Sequence, residues 1–240
     1  MKKLIYLLLV FPLVDITYAS EPSVQSVFQL INDWRRLHPF GCLHSVFQTG
    51  GLRGDSYYYY TASQWRSLNC YARPVKFKEV IFTDANDQIM AYFPVTSVLL
   101  NLPEGPEQRF LQLMDHTSPL SLARVARLGA SARLISGLAP LQVEIAFSMP
   151  EVQATTNSTF SILLTVDKQG RLTSCEYDFK GCQTVFDFEY MNLNLEQINL
   201  RMSLPAIQAR GGQPGNYSEA IKHEASASFM SAEDADGEPH

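Results

Sequence analysis

The chain has 240 residues, 46% of them hydrophobic and 18% charged, with a net charge of −5. That is enough apolar material for one large domain or two small ones, and an acidic balance without a basic run argues against a nucleic-acid partner. With 14 Phe and 11 Tyr against so few charges, the chain has unusual apolar surface to bury or to present.

Residues 1–19 read as a secretory signal. Lys2 and Lys3 precede an apolar run from Leu4 to Val14, and Thr17-Tyr18-Ala19 places small residues for cleavage after Ala19. The run is shorter than the ~20 apolar residues of a membrane span. No Cys follows the small residues, so no lipid anchor is expected. The mature chain is expected to be exported and soluble.

From Ser23 to Leu37, Val24, Val27, Phe28, Ile31 and Trp34 recur at helical spacing behind a capping Ser23. His38-Pro39 ends this helix, and a strand follows over Phe40–Gln48. Asp55–Trp65 reads as a strand around Tyr57-Tyr58-Tyr59-Tyr60, with Tyr57 and Tyr59 on one face and Tyr58 and Tyr60 on the other. One pair is expected to be half-buried and the other exposed, with cross-strand packing as the main role. Leu68–Ala72, Glu79–Thr83 and Gln88–Phe93 are further strands, with a turn over Asp84–Asp87 and an extended Val95–Leu102.

The middle of the chain turns helical over Glu104–Asp115 and Leu120–Leu128, with Gly129 just past the second helix. Both are too short to stand alone and must lie on something apolar. Strands resume over Ala132–Ser136, Leu141–Met149, Thr159–Val166, Arg171–Tyr177 and Gln183–Asn192, with a hairpin turn at Asp167-Lys168-Gln169-Gly170. Gln197–Leu204 reads as the last ordered element. From Gln208 the chain is rich in Gly, Ser, Ala and Glu and reads as a disordered acidic tail over 208–240. So many strands with so few helices predict an α+β fold: one strongly curved antiparallel sheet, an incomplete β-barrel, with short helices in its concave mouth.

The order of elements resembles the periplasmic lipoprotein-carrier family, the LolA-like half-barrels. The resemblance covers roughly Ser23 to Pro205, within a domain expected over residues 20–207. It rests on the Ser23–Leu37 helix leading into Phe40–Phe47, on Glu79–Pro94 as a strand–turn–strand ending in Tyr92-Phe93-Pro94, and on Ser118-Pro119-Leu120 opening a central helix. Thr165–Leu172 fits the late hairpin, and Leu200–Pro205 fits a closing strand and proline. Four cysteines, the tyrosine run and the long tail depart from the family pattern. The resemblance implies a monomeric periplasmic carrier that shields acyl chains of lipoproteins or other lipids between membranes, with inner- and outer-membrane protein partners. The alternative on the same fold is a regulatory or docking domain that senses lipoproteins or binds a membrane protein.

Alternation proposes the cavity lining. Val143, Ile145 and Phe147 share a strand face, as do Phe160, Ile162 and Leu164, and again Phe186, Phe188 and Tyr190. Phe110, Met114 and Leu120 lie on the expected lid. Taken singly, each of these reads as dry core. Taken together under the resemblance, they line a lipid cavity. Cys175 and Cys182 flank an expected hairpin tip and form the most local pair, leaving Cys42 for Cys70; four reduced thiols are the other reading. Asp115-His116 is the one acid–base pair, but no nucleophile elbow, phosphate loop or metal-ligand spacing accompanies it. No enzyme activity, metal or cofactor is expected.

Overall fold

The computed structural model describes residues 22–49, 52–73, 76–83, 88–149, 158–179, 182–203 and 216–235. The expected signal sequence lies outside the described residues. Helix α1 (Val24–Leu37) is followed by β1 (Gly41–Thr49), β2 (Leu52–Tyr60), β3 (Trp65–Arg73), β4 (Phe77–Thr83), β5 (Ile89–Phe93) and β6 (Val98–Asn101). Helices α2 (Pro106–Met114) and α3 (Leu122–Arg127) come next. Strands β7 (Ala130–Ser136), β8 (Leu141–Met149), β9 (Ser158–Val166), β10 (Leu172–Phe179), β11 (Cys182–Asp187) and β12 (Glu189–Met191) follow, and α4 (Leu195–Met202) and α5 (Tyr217–Ala235) end the order.

All twelve strands form one antiparallel sheet, curved and unclosed, with the path β6-β5-β4-β3-β2-β1-β11-β10-β9-β8-β7. Strand β1 is the hinge of this path: its first half pairs with β12 and its second half with β11. Alternation along β1 separates the two faces. Leu43 joins the cluster on the face that carries α2 and α5, while Cys42 joins Tyr59, Ile198 and Met202 on the other.

Helices α1, α2, α3 and α5 cover one face. Under α1 and α3 lies a core of Val27, Phe28, Ile31 and Val125 against the inward residues of β8 and β9. Under α5 lies a second core that includes Tyr58, Trp65, Ile81, Phe93 and Ala220. Helix α1 starts where Ser23 accepts from the Ser26 amide while Ser26 reaches back to the Ser23 amide, a reciprocal cap. The Asp167–Gly170 turn joins β9 to β10, with the Gly170 amide donating to the Asp167 carbonyl at 3.0 Å.

Several expectations are corrected. The described part of Gln197–Leu204, which overlaps the Leu200–Pro205 segment compared above to a closing strand, belongs to helix α4 through Met202; this helix lies on the sheet face opposite the other helices and packs Ile198 and Met202 on Cys42 and Tyr59. The tail from Gln208 contains a helix of 19 residues, α5. Asp55–Trp65 is two strands, because the Thr61 amide closes a turn on the Gln64 carbonyl at 2.8 Å. Gln183–Asn192 breaks at Phe188, whose amide donates to Thr173 rather than to β1.

The expected disulfides are absent: Cys42, Cys70 and Cys175 are free thiols. Register explains why. Cys42 sits opposite Tyr59 and Cys70 opposite Asp55, two strands apart and out of step along β2, which separates them by roughly 16 Å at usual strand spacings. Cys175 sits opposite Phe186, whereas Cys182 sits opposite Phe179, an offset of roughly 14 Å. A disulfide spans no more than ~7 Å between Cα atoms. Burial pushes the Cys42 thiol up to about 12, so it is held protonated and unreactive.

Candidate functional site

Six strands and two helices, several of them distant in sequence, line a cavity of about 280 Å³. Its floor is Phe47, Ser56, Ser67, Asn69, Tyr71 and Phe77 from β1 to β4, and Tyr177 and Phe186 come in from β10 and β11. Its lid is Glu107, Phe110 and Leu111 of α2 with Tyr217 and Ile221 of α5. The aromatic wall is continuous. Tyr71 stacks on Phe77 at 4.1 Å, Phe47 meets Tyr71 edge-on at 5.2 Å, and Phe110 stacks on Phe186 at 5.4 Å. A smaller void of about 30 Å³ adjoins it, sharing Ser56, Ser67, Phe110, Leu111 and Phe186 and reaching Leu43, Tyr58, Met114 and Phe188.

The floor carries a polar network that is satisfied within the protein. Ser56 and Ser67 hydroxyls donate to Asn69 Oδ1 at 2.9 and 3.0 Å, and Asn69 Nδ2 donates to Glu79 Oε1 at 3.0 Å. Tyr71 donates to Glu79 Oε1 at 2.7 Å, and Tyr217 of α5 donates to Glu79 Oε2 at 2.5 Å. Glu79 is fully buried, and three donors compensate its removal from water. It thereby ties the lid helix α5 to the floor strand β4.

Glu107 faces the same cluster. Burial, and then the neighbouring Glu79 charge, push its carboxyl up to about 8, so at neutral pH it is an O–H donor beside an apolar cavity. The folded chain then binds one more proton than the unfolded chain between the ordinary 4.5 and about 8. Stability therefore falls as pH rises through that window, by at most ~1.4 kcal/mol per pH unit, less for the partial exposure of Glu107. Urea unfolding of Glu107→Gln at pH 5 to 8 is expected to lose this slope and to exceed the wild type near pH 8. An unchanged slope would contradict the assignment.

The sequence-derived lining divides between several places. Phe110 and Phe186 line the main cavity, and Phe188 and Met114 line the adjoining void. Val143, Ile145, Phe147, Phe160, Ile162 and Leu164, with Leu120, pack as buried core beneath α1 and α3; Phe147 and Phe160 stack at 4.5 Å. Helix α1 fills the space over β8 and β9 that would otherwise be open. Tyr190 lies at the sheet rim, edge-on to Trp34 at 4.8 Å and beneath the Arg171 guanidinium at 5.5 Å.

The tyrosine run is not an exposed patch. Tyr58 and Tyr60 are buried under the lid side, and Tyr59 is only 6% exposed beneath α4. Asp115 and His116 do not act on each other. Asp115 Oδ1 accepts from the Thr117 amide and hydroxyl and Oδ2 lies 3.7 Å from Arg124, while the His116 ring bonds the Met114 carbonyl at 2.9 Å.

No protein-family model matches the chain, and no curated protein is similar to it in sequence. Among solved structures, the chain is similar to the crystal structure of the Mycobacterium tuberculosis lipoprotein LppX, with a TM-score of 0.32 and 11% identity over 70% of this chain and 97% of that one. That likeness is too loose to carry an argument about function. No helix among the described residues is long and apolar enough to cross a membrane, and no group of three or more His, Cys, Asp or Glu among them could hold a metal.

Proposed function

We propose that the protein binds an acyl chain of a lipid or lipoprotein in the cavity beneath α2 and α5, as an exported carrier between membranes. The carrying observation is the aromatic cavity itself, about 280 Å³ in volume, at the lower edge of the ~300–1,000 Å³ usual for ligand sites. It suits one slim chain. Burial alone supplies affinity, ~0.8 kcal/mol for each CH₂ removed from water, and no reacting group is needed. The protonated Glu107 offers one hydrogen bond to a carbonyl or hydroxyl at the head of the chain. On this reading the protein works as a monomer in the periplasm, loading from one membrane and unloading at the other through protein partners there.

The test is native mass spectrometry of the protein recovered from its own compartment, with organic extraction, beside displacement of a fluorescent fatty acid. A lipid at near one-to-one ratio is expected. Ile221→Trp, which fills the cavity from the lid, is expected to weaken fatty-acid binding at least tenfold while the fold survives. A ligand-free mass together with equal binding by Ile221→Trp would refute the reading.

A further inference from the structure

A second hollow, of about 310 Å³, opens at the C-terminal end of α1, between that helix, the turn after β2 and the segment His116–Pro119. Its cationic lining residues are Arg35 and Arg36, with the His38 and His116 rings beside them, and no Asp or Glu is among its lining. Val27, Phe28, Ile31 and Arg35 follow one another on a single helical stripe, so the Arg35 side chain is carried inward with the apolar ones. Its Nη1 is buried and has no hydrogen-bond partner.

The acids nearby are engaged elsewhere. Asp33 accepts from Arg36 at 3.1 Å on the outside of the helix. Asp115 serves Thr117 and Arg124. Arg124, by contrast, donates from both Nη1 and Nη2, to the carbonyls of Asp115, Ser118 and Gln112. A neutral His116 stacked on Tyr60 at 4.0 Å closes the inner wall, and burial beside Arg35 holds its imidazole well below the usual value. An unpaired guanidinium N–H at such a place is a standing cost that only an acceptor removes.

We propose that this hollow is an oxyanion site, in which the Arg35 fork takes a phosphate group, with Arg36 adding charge at the rim. The planar fork matches two phosphate oxygens at once. The site stands on the Arg35 geometry alone. That the phosphate is the head of an acidic lipid rests on the carrier reading above, since the Tyr58–His116–Tyr60 group separates the hollow from the void at Met114 that adjoins the main cavity.

Titration calorimetry of the full chain with decyl phosphate, decanol and inorganic phosphate tests it. Decyl phosphate is expected to bind at least tenfold tighter than decanol. Arg35→Gln is expected to remove that advantage and leave decanol unchanged, and Arg35→Lys to retain part of it. A thermal melt of each variant confirms the fold. If inorganic phosphate binds as tightly as decyl phosphate and is equally sensitive to Arg35→Gln, the site stands with free phosphate as its ligand, and the lipid source fails. If no phosphate compound binds better than decanol, or Arg35→Gln changes nothing, the oxyanion site is overturned, whatever the fate of the acyl cavity.

Discussion

Replacing Glu224 with alanine is expected to detach helix α5 while the sheet stays folded. Glu224 is fully buried. Its Oε1 accepts the Val95 amide at 2.8 Å, and its Oε2 accepts the Thr96 amide at 2.8 Å and the Thr96 hydroxyl at 2.7 Å. The turn after β5 offers those amides because Pro94 ends the ladder and Ser97 takes a positive φ of 57°. Hydrogen bonds to a charged group contribute ~1.5–3 kcal/mol each, so losing three at once, with part recovered by water, costs about 3–5 kcal/mol. The apolar contacts of α5 are modest, small side chains at Ala220 and Ala225 with Ile221 and the Tyr217 ring 5.7 Å from that of Phe93, and the Tyr217–Glu79 bond adds to them. A helix held this lightly opens before the sheet does. Hydrogen exchange is the readout: α5 amides lose protection in Glu224→Ala, keep part of it in Glu224→Gln, and β8 and β9 are unaffected. Equal protection in α5 across the three proteins would show that apolar contact alone holds it.

That helix was also the largest feature hidden in the sequence. Its inward residues Tyr217, Ala220, Ile221, Glu224 and Ala225 do follow helical spacing. The inward stripe, however, contains Ala and Glu where large apolar residues would have marked it, so the segment has the composition of a tail. Its docking energy comes from buried carboxylates, which no hydrophobic pattern reports. Helix α4 was hidden for the opposite reason. Leu200, Met202 and Leu204 alternate as a strand would, yet Asn194 and Gln197 cap each other and Ile198 and Met202 lie one turn apart, and the cap decides.

The sheet was legible because its strands alternate and its turns carry Gly, Pro, Asn and Asp. The cavity was legible only in part. Alternation identifies the covered face of β8 and β9 but not what covers it, and α1 and α3 cover it. The open part of that face lies over β2 and β3, where Ser56, Ser67 and Asn69 replace large residues. Small polar side chains at inward positions leave room above them, and that volume deficit is the signal that could have located the site. The same residues feed the Glu79 network, so the positions that make the space also anchor α5, its lid.

Gly170→Val is expected to be the most damaging single change in the β9–β10 hairpin. Gly170 has φ of +86°, and a Cβ built there would lie 2.2 Å from the Leu30 carbonyl oxygen and 2.5 Å from its carbon. Both obstacles are backbone, so no rotamer change relieves them. The left-handed conformation costs an L-residue ~1–2 kcal/mol, and forcing apart a packed contact costs a further ~1–3 kcal/mol, giving about 2–5 kcal/mol in all. The damage reaches beyond the turn, because Leu30 belongs to the helix whose Val27, Phe28 and Ile31 close the core over β8 and β9. If the hairpin tip holds α1 in place, α1 must shift, and the hollow at Arg35 shifts with it. Gly170→Ala is expected to be nearly as costly, since the Cβ is the offending atom, whereas Gln169→Ala on the same exposed turn is expected to change stability by less than ~0.5 kcal/mol. Urea unfolding of the three variants separates these outcomes. Equal stabilities for Gly170→Ala and Gln169→Ala would mean that α1 does not rest on the turn.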